Sequence, residues 1–143
     1  MNTFDETHAL RYLDNDKQFL IQVVKAMHDV LSEQHTVIQQ ALDNGNFVRM
    51  RQCTHSHLPT LKIFGLCAAA NVFEIFESAV SRQDTEAIAH LKHSVMAHWH
   101  DAQKVLSDWL SGQADKELTT PILGHETRSQ VAAPSPFFPV DGP

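Results

Sequence analysis

The sequence predicts an all-α protein: an antiparallel up-down four-helix bundle with a short extra N-terminal helix and a disordered C-terminal tail. Three observations carry that prediction. Apolar residues recur every three to four positions over long stretches. Short Asp, Asn and Gly breaks separate those stretches, and the last part of the chain loses the period and gains prolines. Long helices joined by short connections favour antiparallel neighbours. Of 143 residues, 43% are hydrophobic, enough for a single core. Residues 1–112 are therefore assigned to the bundle and residues 113–143 to a Pro-rich flexible tail.

A first, short helix is expected over residues 5–13, ending at Asp14-Asn15-Asp16, which also supplies the next N-cap. The second spans residues 16–43. Its stripe of Leu20, Val23, Val24, Met27, Val30, Leu31, Ile38, Ala41 and Leu42 has the spacing of a core-facing helix, and Asn44-Gly45 stops it. A third is predicted over residues 46–64, with Pro59 inside it. Because proline lacks an N–H and crowds the carbonyl four residues back, this helix should bend beside His55. The fourth, residues 69–82, buries Val72, Phe73, Phe76, Ala79 and Val80 and turns Glu74 and Glu77 outward. The fifth starts at an Asp84 cap and carries Ile88, Leu91, Val95, Trp99, Ala102, Leu106 and Trp109 at core spacing until Gly112. Beyond it, the run from Ala132 to Val140 has too many prolines for a helix. It reads as a plain tail or as a short docking peptide through Phe137 and Phe138.

On the third helix, a rotation of 100° per residue gathers Met50, Cys53, His57, Leu61 and Phe64 on one stripe. His55, Leu58, Pro59 and Lys62 fall on the opposite side. His55 therefore faces out and His57 faces in, as a core histidine bonded to a neighbour. Leu58 is either a stray exposed apolar residue or part of a contact patch with Pro59.

With His55 as origin, Phe64 and Gly65 stand at +9 and +10, Met50 at −5, and Cys53 and Thr54 at −2 and −1. In this register, residues 4–111 resemble the histidine-containing phosphotransfer (HPt) domain of two-component phosphorelays. That family has an exposed histidine, Lys at +3, Gly at +4 and a hydrophobic-Gly pair at +9 and +10. Leu58 and Pro59 depart from it at +3 and +4, and Lys62, one turn further along, is the candidate substitute cation. The resemblance implies a phosphocarrier rather than an enzyme. His55 would be phosphorylated by a receiver-domain aspartate and would pass the group to a response regulator, with a hybrid sensor histidine kinase upstream. Lys62 would neutralise the phosphoryl oxygens, Leu58 and Pro59 would meet the receiver, and His57, Phe64 and Gly65 would be structural. The receiver would bring the Mg²⁺ and the chain would need no cofactor of its own. The alternative is a degenerate module that binds or sequesters receivers without carrying phosphate.

Other classes fit less well. A formal net charge of −6 without a Lys/Arg run argues against nucleic-acid binding. Cys53 and Cys67 would lie ~21 Å apart along one helix, beyond disulfide reach, which favours reduced thiols and the cytoplasm. The first residues hold neither a basic stretch nor an apolar run, and no segment approaches a membrane span. Ten histidines raise the question of a metal. His90 and His93 share a helix face and His98 lies five residues on, but no Glu-x-x-His pairing recurs on facing helices, so no metal site is expected. Closure of four helices within one chain predicts a monomer.

Overall fold

In the computed structural model, which describes residues 2–119, three polar side chains start the first three helices. The His8 amide donates to Asp5 Oδ1 (3.0 Å) at the head of α1 (Glu6–Tyr12), and the Phe19 amide to Asp16 Oδ1 (3.0 Å) at the head of α2 (Lys17–Asn44). The Arg49 amide donates to Asn46 Oδ1 (3.1 Å) at the head of α3 (Phe47–His55). Each cap satisfies an amide that the first helical turn leaves free. Three more helices follow: α4 (Leu58–Ile63), α5 (Cys67–Ser81) and α6 (Thr85–Thr119). The Ala87 amide donates to the expected Asp84 cap at 3.1 Å. The described residues are all-helical.

The sequence predicts one bent helix over residues 46–64, and the structure has two. The Thr54 hydroxyl donates to the Met50 carbonyl and the Ser56 hydroxyl to the Gln52 carbonyl, while the His57 amide turns back to the Thr54 carbonyl, a tighter three-residue bond. Pro59 then falls in the first turn of α4, where a missing N–H costs nothing. The α4 exit is a left-handed glycine turn. Gly65 has φ +76°, its amide donates to the Lys62 carbonyl, and the Leu66 amide donates to the Leu61 carbonyl. A Cβ on Gly65 would lie 2.6 Å from that of Asp5, so the position is closed to side chains on two grounds.

The contacts form a ring. α2 packs against α3 and α6, and α5 packs against α3, α4 and α6, with α1 set against α2 and α4. Trp99 is fully buried at the centre; it stacks on Phe73, meets His57 edge-on, and donates from Nε1 to the Leu31 carbonyl at 2.9 Å. Before α1, Phe4 packs between Phe64 and Trp109. Asn2 is buried: its Oδ1 accepts from the Ala69 amide, and its own amide and side-chain nitrogen both donate to Asp101 Oδ2.

α6 overruns the predicted end at Gly112 and continues to Thr119. A glycine costs a helix interior only about 1 kcal/mol, and contacts on both sides of Gly112 hold the helix. Trp109 Nε1 donates to Glu6 at 3.0 Å, and Gln113 is buried with its amide nitrogen on the Trp109 carbonyl. The rest of the expected tail, including Phe137 and Phe138, lies outside the described residues. No helix among the described residues is long and apolar enough to cross a membrane.

Candidate functional site

His55 closes α3 with its side chain 60% exposed. Its Nδ1 lies 2.8 Å from Glu77 Oε2 on α5. A carboxylate only accepts, so Nδ1 carries a proton, and in the neutral imidazole the lone pair is then on Nε2, which has no protein partner. Arg51, four residues before His55 on the same helix face, reaches the same Glu77 oxygen at 3.3 Å. Glu77 itself is only 16% exposed, so the carboxylate expected to turn outward instead folds back to hold the imidazole. The chemistry this permits is nucleophilic: an oriented, unprotonated ring nitrogen at the surface with a guanidinium beside it.

The other predicted residues divide. His57 faces in, 6% exposed, with Nε2 2.9 Å from Gln34 Oε1, and burial pushes its pKa down to about 4. It is a neutral core group under the site. Phe64 is fully buried against Phe4, and its carbonyl accepts from the Asp5 amide at 2.9 Å. Lys62 is exposed, but its ammonium is held by Glu74 at 2.6 Å, one turn before Glu77 on α5. The two glutamates thus tie α4 and α3 to α5 on either side of the break. Pro59 is exposed.

Leu58 corrects the sequence reading. It is 8% exposed and belongs to the core, not to an outer patch. The tightened turn at Ser56-His57 advances the chain by more than the α-helical 100° per residue, which carries Leu58 inward to share a face with Leu61. The exposed apolar residue on the His55 face is Val48, two turns earlier on α3 and 69% exposed. Leu58→Glu is therefore expected to place a charge in the core and lower stability by about 3 kcal/mol or more. Val48→Glu should leave the melting curve within experimental error of the parent. Thermal melts of the two variants followed by circular dichroism check this, and equal melts would put Leu58 back on the surface.

Arg51 and Glu77 escaped the sequence reading. The signals were there: a cation four residues before His55, and two carboxylates one turn apart on the neighbouring helix. Both cysteines are free, Cys53 buried and Cys67 exposed. Among the described residues, no three or more His, Cys, Asp or Glu side chains group as metal ligands. No protein-family model, curated protein or solved structure matches the chain.

Proposed function

We propose that this protein is a histidine phosphotransfer carrier of the HPt kind. It accepts a phosphoryl group on His55 from a receiver-domain aspartate and passes it to a response regulator, acting as a cytoplasmic monomer downstream of a hybrid sensor histidine kinase. The observation that carries the reading is the His55–Glu77 pair: an exposed histidine, in register with Phe64-Gly65, whose Nδ1 proton is fixed so that Nε2 is the nucleophile. The ring of contacts through α2, α3, α5 and α6 supports the up-down four-helix arrangement, with α3 and α4 together filling one of its positions.

In the forward step the Nε2 lone pair attacks the phosphorus of the aspartyl phosphate and a P–N bond forms. The P–O bond to the aspartate breaks, and its electron pair stays on the released carboxylate. The imidazole becomes a cation that still carries its Nδ1 proton, and Glu77 lies against it. Because His55 sits at the negative end of the α3 dipole, a phosphoryl group there needs cations. Arg51 supplies one directly, and Lys62 supplies a second when it leaves Glu74 for the phosphoryl oxygens. Val48 and Pro59 offer the receiver an apolar contact. Mg²⁺ and the acceptor aspartate belong to the receiver.

The engagement of Lys62 by Glu74 favours one rival, a module that sequesters receivers without phosphorylation. A relay assay separates them. With a phosphorylated receiver and a second, unphosphorylated one, a substoichiometric amount of the chain should move label between them through an acid-labile phosphate. Glu77→Leu should slow acceptance by about 10²-fold, through loss of the fixed tautomer. A chain that binds receivers and never acquires label, across all receivers of its cell, would leave sequestration as the function.

A further inference from the structure

On the α2–α6 seam, away from His55, two more histidines meet. His35 Nε2 and His100 Nε2 are 3.0 Å apart, with ring centroids 4.5 Å apart and planes at 58°. We propose that this pair binds a divalent transition-metal ion and so clips α2 to α6. The proposal does not depend on the phosphocarrier reading.

The two distances carry the inference together. In a linear N–H···N bond of this length the imidazole centroids would be about 5.3 Å apart, because each nitrogen lies about 1.15 Å from its ring centre. The observed separation is shorter, so the contact is bent away from a linear hydrogen bond. A symmetric converging arrangement is one that both distances allow, and in it the ring-to-nitrogen axes meet about 2.3 Å beyond each nitrogen, close to the ~2.0–2.1 Å of a metal–imidazole bond. Two such bonds at a right angle hold their nitrogens about 2.9 Å apart, whereas a tetrahedral ion needs about 3.4 Å. The 3.0 Å separation therefore suits neighbouring positions of a square or octahedral ion such as Ni²⁺ or Cu²⁺, and Zn²⁺ after a small opening.

The surroundings are compatible. Imidazole ligates only when neutral, and a coordinated pair gives up the proton it shares. One turn along α6, Gln103 Nε2 donates to Ser32 Oγ at 3.2 Å, while its Oε1 is buried without a protein partner. That oxygen can accept a hydrogen bond from a metal-bound water. With only two side-chain ligands, the other coordination positions belong to water.

The test is titration of the untagged full chain with NiCl₂ at pH 7.5. Paramagnetic broadening should reach the His35 and His100 imidazole resonances first, and the melting temperature should rise by several degrees. Either His35→Gln or His100→Gln should weaken the tightest site at least tenfold by calorimetry, with the helical circular dichroism of the parent. His93→Gln, in the adjoining groove, should leave it unchanged. MgCl₂ should produce none of these effects. A tightest site indifferent to both His35→Gln and His100→Gln, broadening that begins at other histidines, an equal response to Mg²⁺, or no saturable binding would each overturn the proposal.

Discussion

His55→Gln is expected to bring phosphate acceptance from any receiver down to background while leaving the fold as it is. The side chain is 60% exposed, and its one protein partner is Glu77, to which a glutamine amide can still donate. Substitutions at such positions usually change stability by less than about 0.5 kcal/mol. The chemical loss is complete because a carboxamide nitrogen has no available lone pair with which to attack phosphorus. Parallel measurement of label transfer and thermal melting reads both halves. Label that survives His55→Gln and disappears in His57→Gln would transfer the carrier role to the inner histidine, against its 6% exposure.

Acid should weaken the protein well above the range where carboxylates titrate, and His57 is the reason. Its folded pKa is pushed down to about 4 by burial, against the ordinary histidine value of 6.5. The unfolded chain therefore binds more protons than the folded one between those values, and stability rises with pH across the window. The contribution is fully present above pH 6.5 and is lost as pH falls toward 4, by roughly 3 kcal/mol in all. His35, also shifted downward by burial and by His100, acts in the same direction. Glu6, whose pKa is lowered chiefly by its hydrogen bond to Lys17, enters only at lower pH. Urea unfolding at pH 7, 6, 5 and 4 would show the slope, and His57→Leu should remove most of it. A parent stability that stays flat from pH 7 to 4 would mean that His57 is protonated without cost and is not sealed in the core.

What the sequence could and could not convey follows from how each feature is encoded. Helices with a long stripe and a chemical cap were legible. Asp16 and Gly45 bound α2 within a residue of the expected limits, and of its nine predicted core residues only Val30 is not buried. The direction of His55 and His57 was equally legible, since His55 precedes the distortion and His57 stands at its start, before the added rotation has carried the chain to another face. The break after His55 was not, because a proline has the same local signature when it kinks a continuing helix and when it opens a new one. The added rotation brings Leu58 to the core side, while Pro59, Leu61, Lys62 and Phe64 keep the faces that periodicity gave them. The Gly112 boundary failed for a different reason: beside the glycine, Trp109 is tied to Glu6 on α1, 103 residues away, and Gln113 is buried on the Trp109 carbonyl, and neither contact shows in local propensity. Glu77 was placed on an outer face by periodicity, and only the approach of α3 turns it into the partner of His55.

The docking of Asn2 has a consequence for the order in which the molecule assembles. Much of the architecture is built from helices packed on near neighbours in the chain, contacts that form quickly, with α2 and α6 closing the ring over a longer span. Asn2 instead joins the start of α5, 67 residues away, and Asp101, 99 residues away. Closing so long a loop yields little until both targets exist, so this latch is expected to be the last contact to form and among the first to open. The α5 entrance has no side-chain cap of its own, and it borrows one from the opposite end of the fold. The Ala69 amide is then a hydrogen-exchange reporter of the latch: it exchanges whenever the first residues lift away, without waiting for the core to unfold.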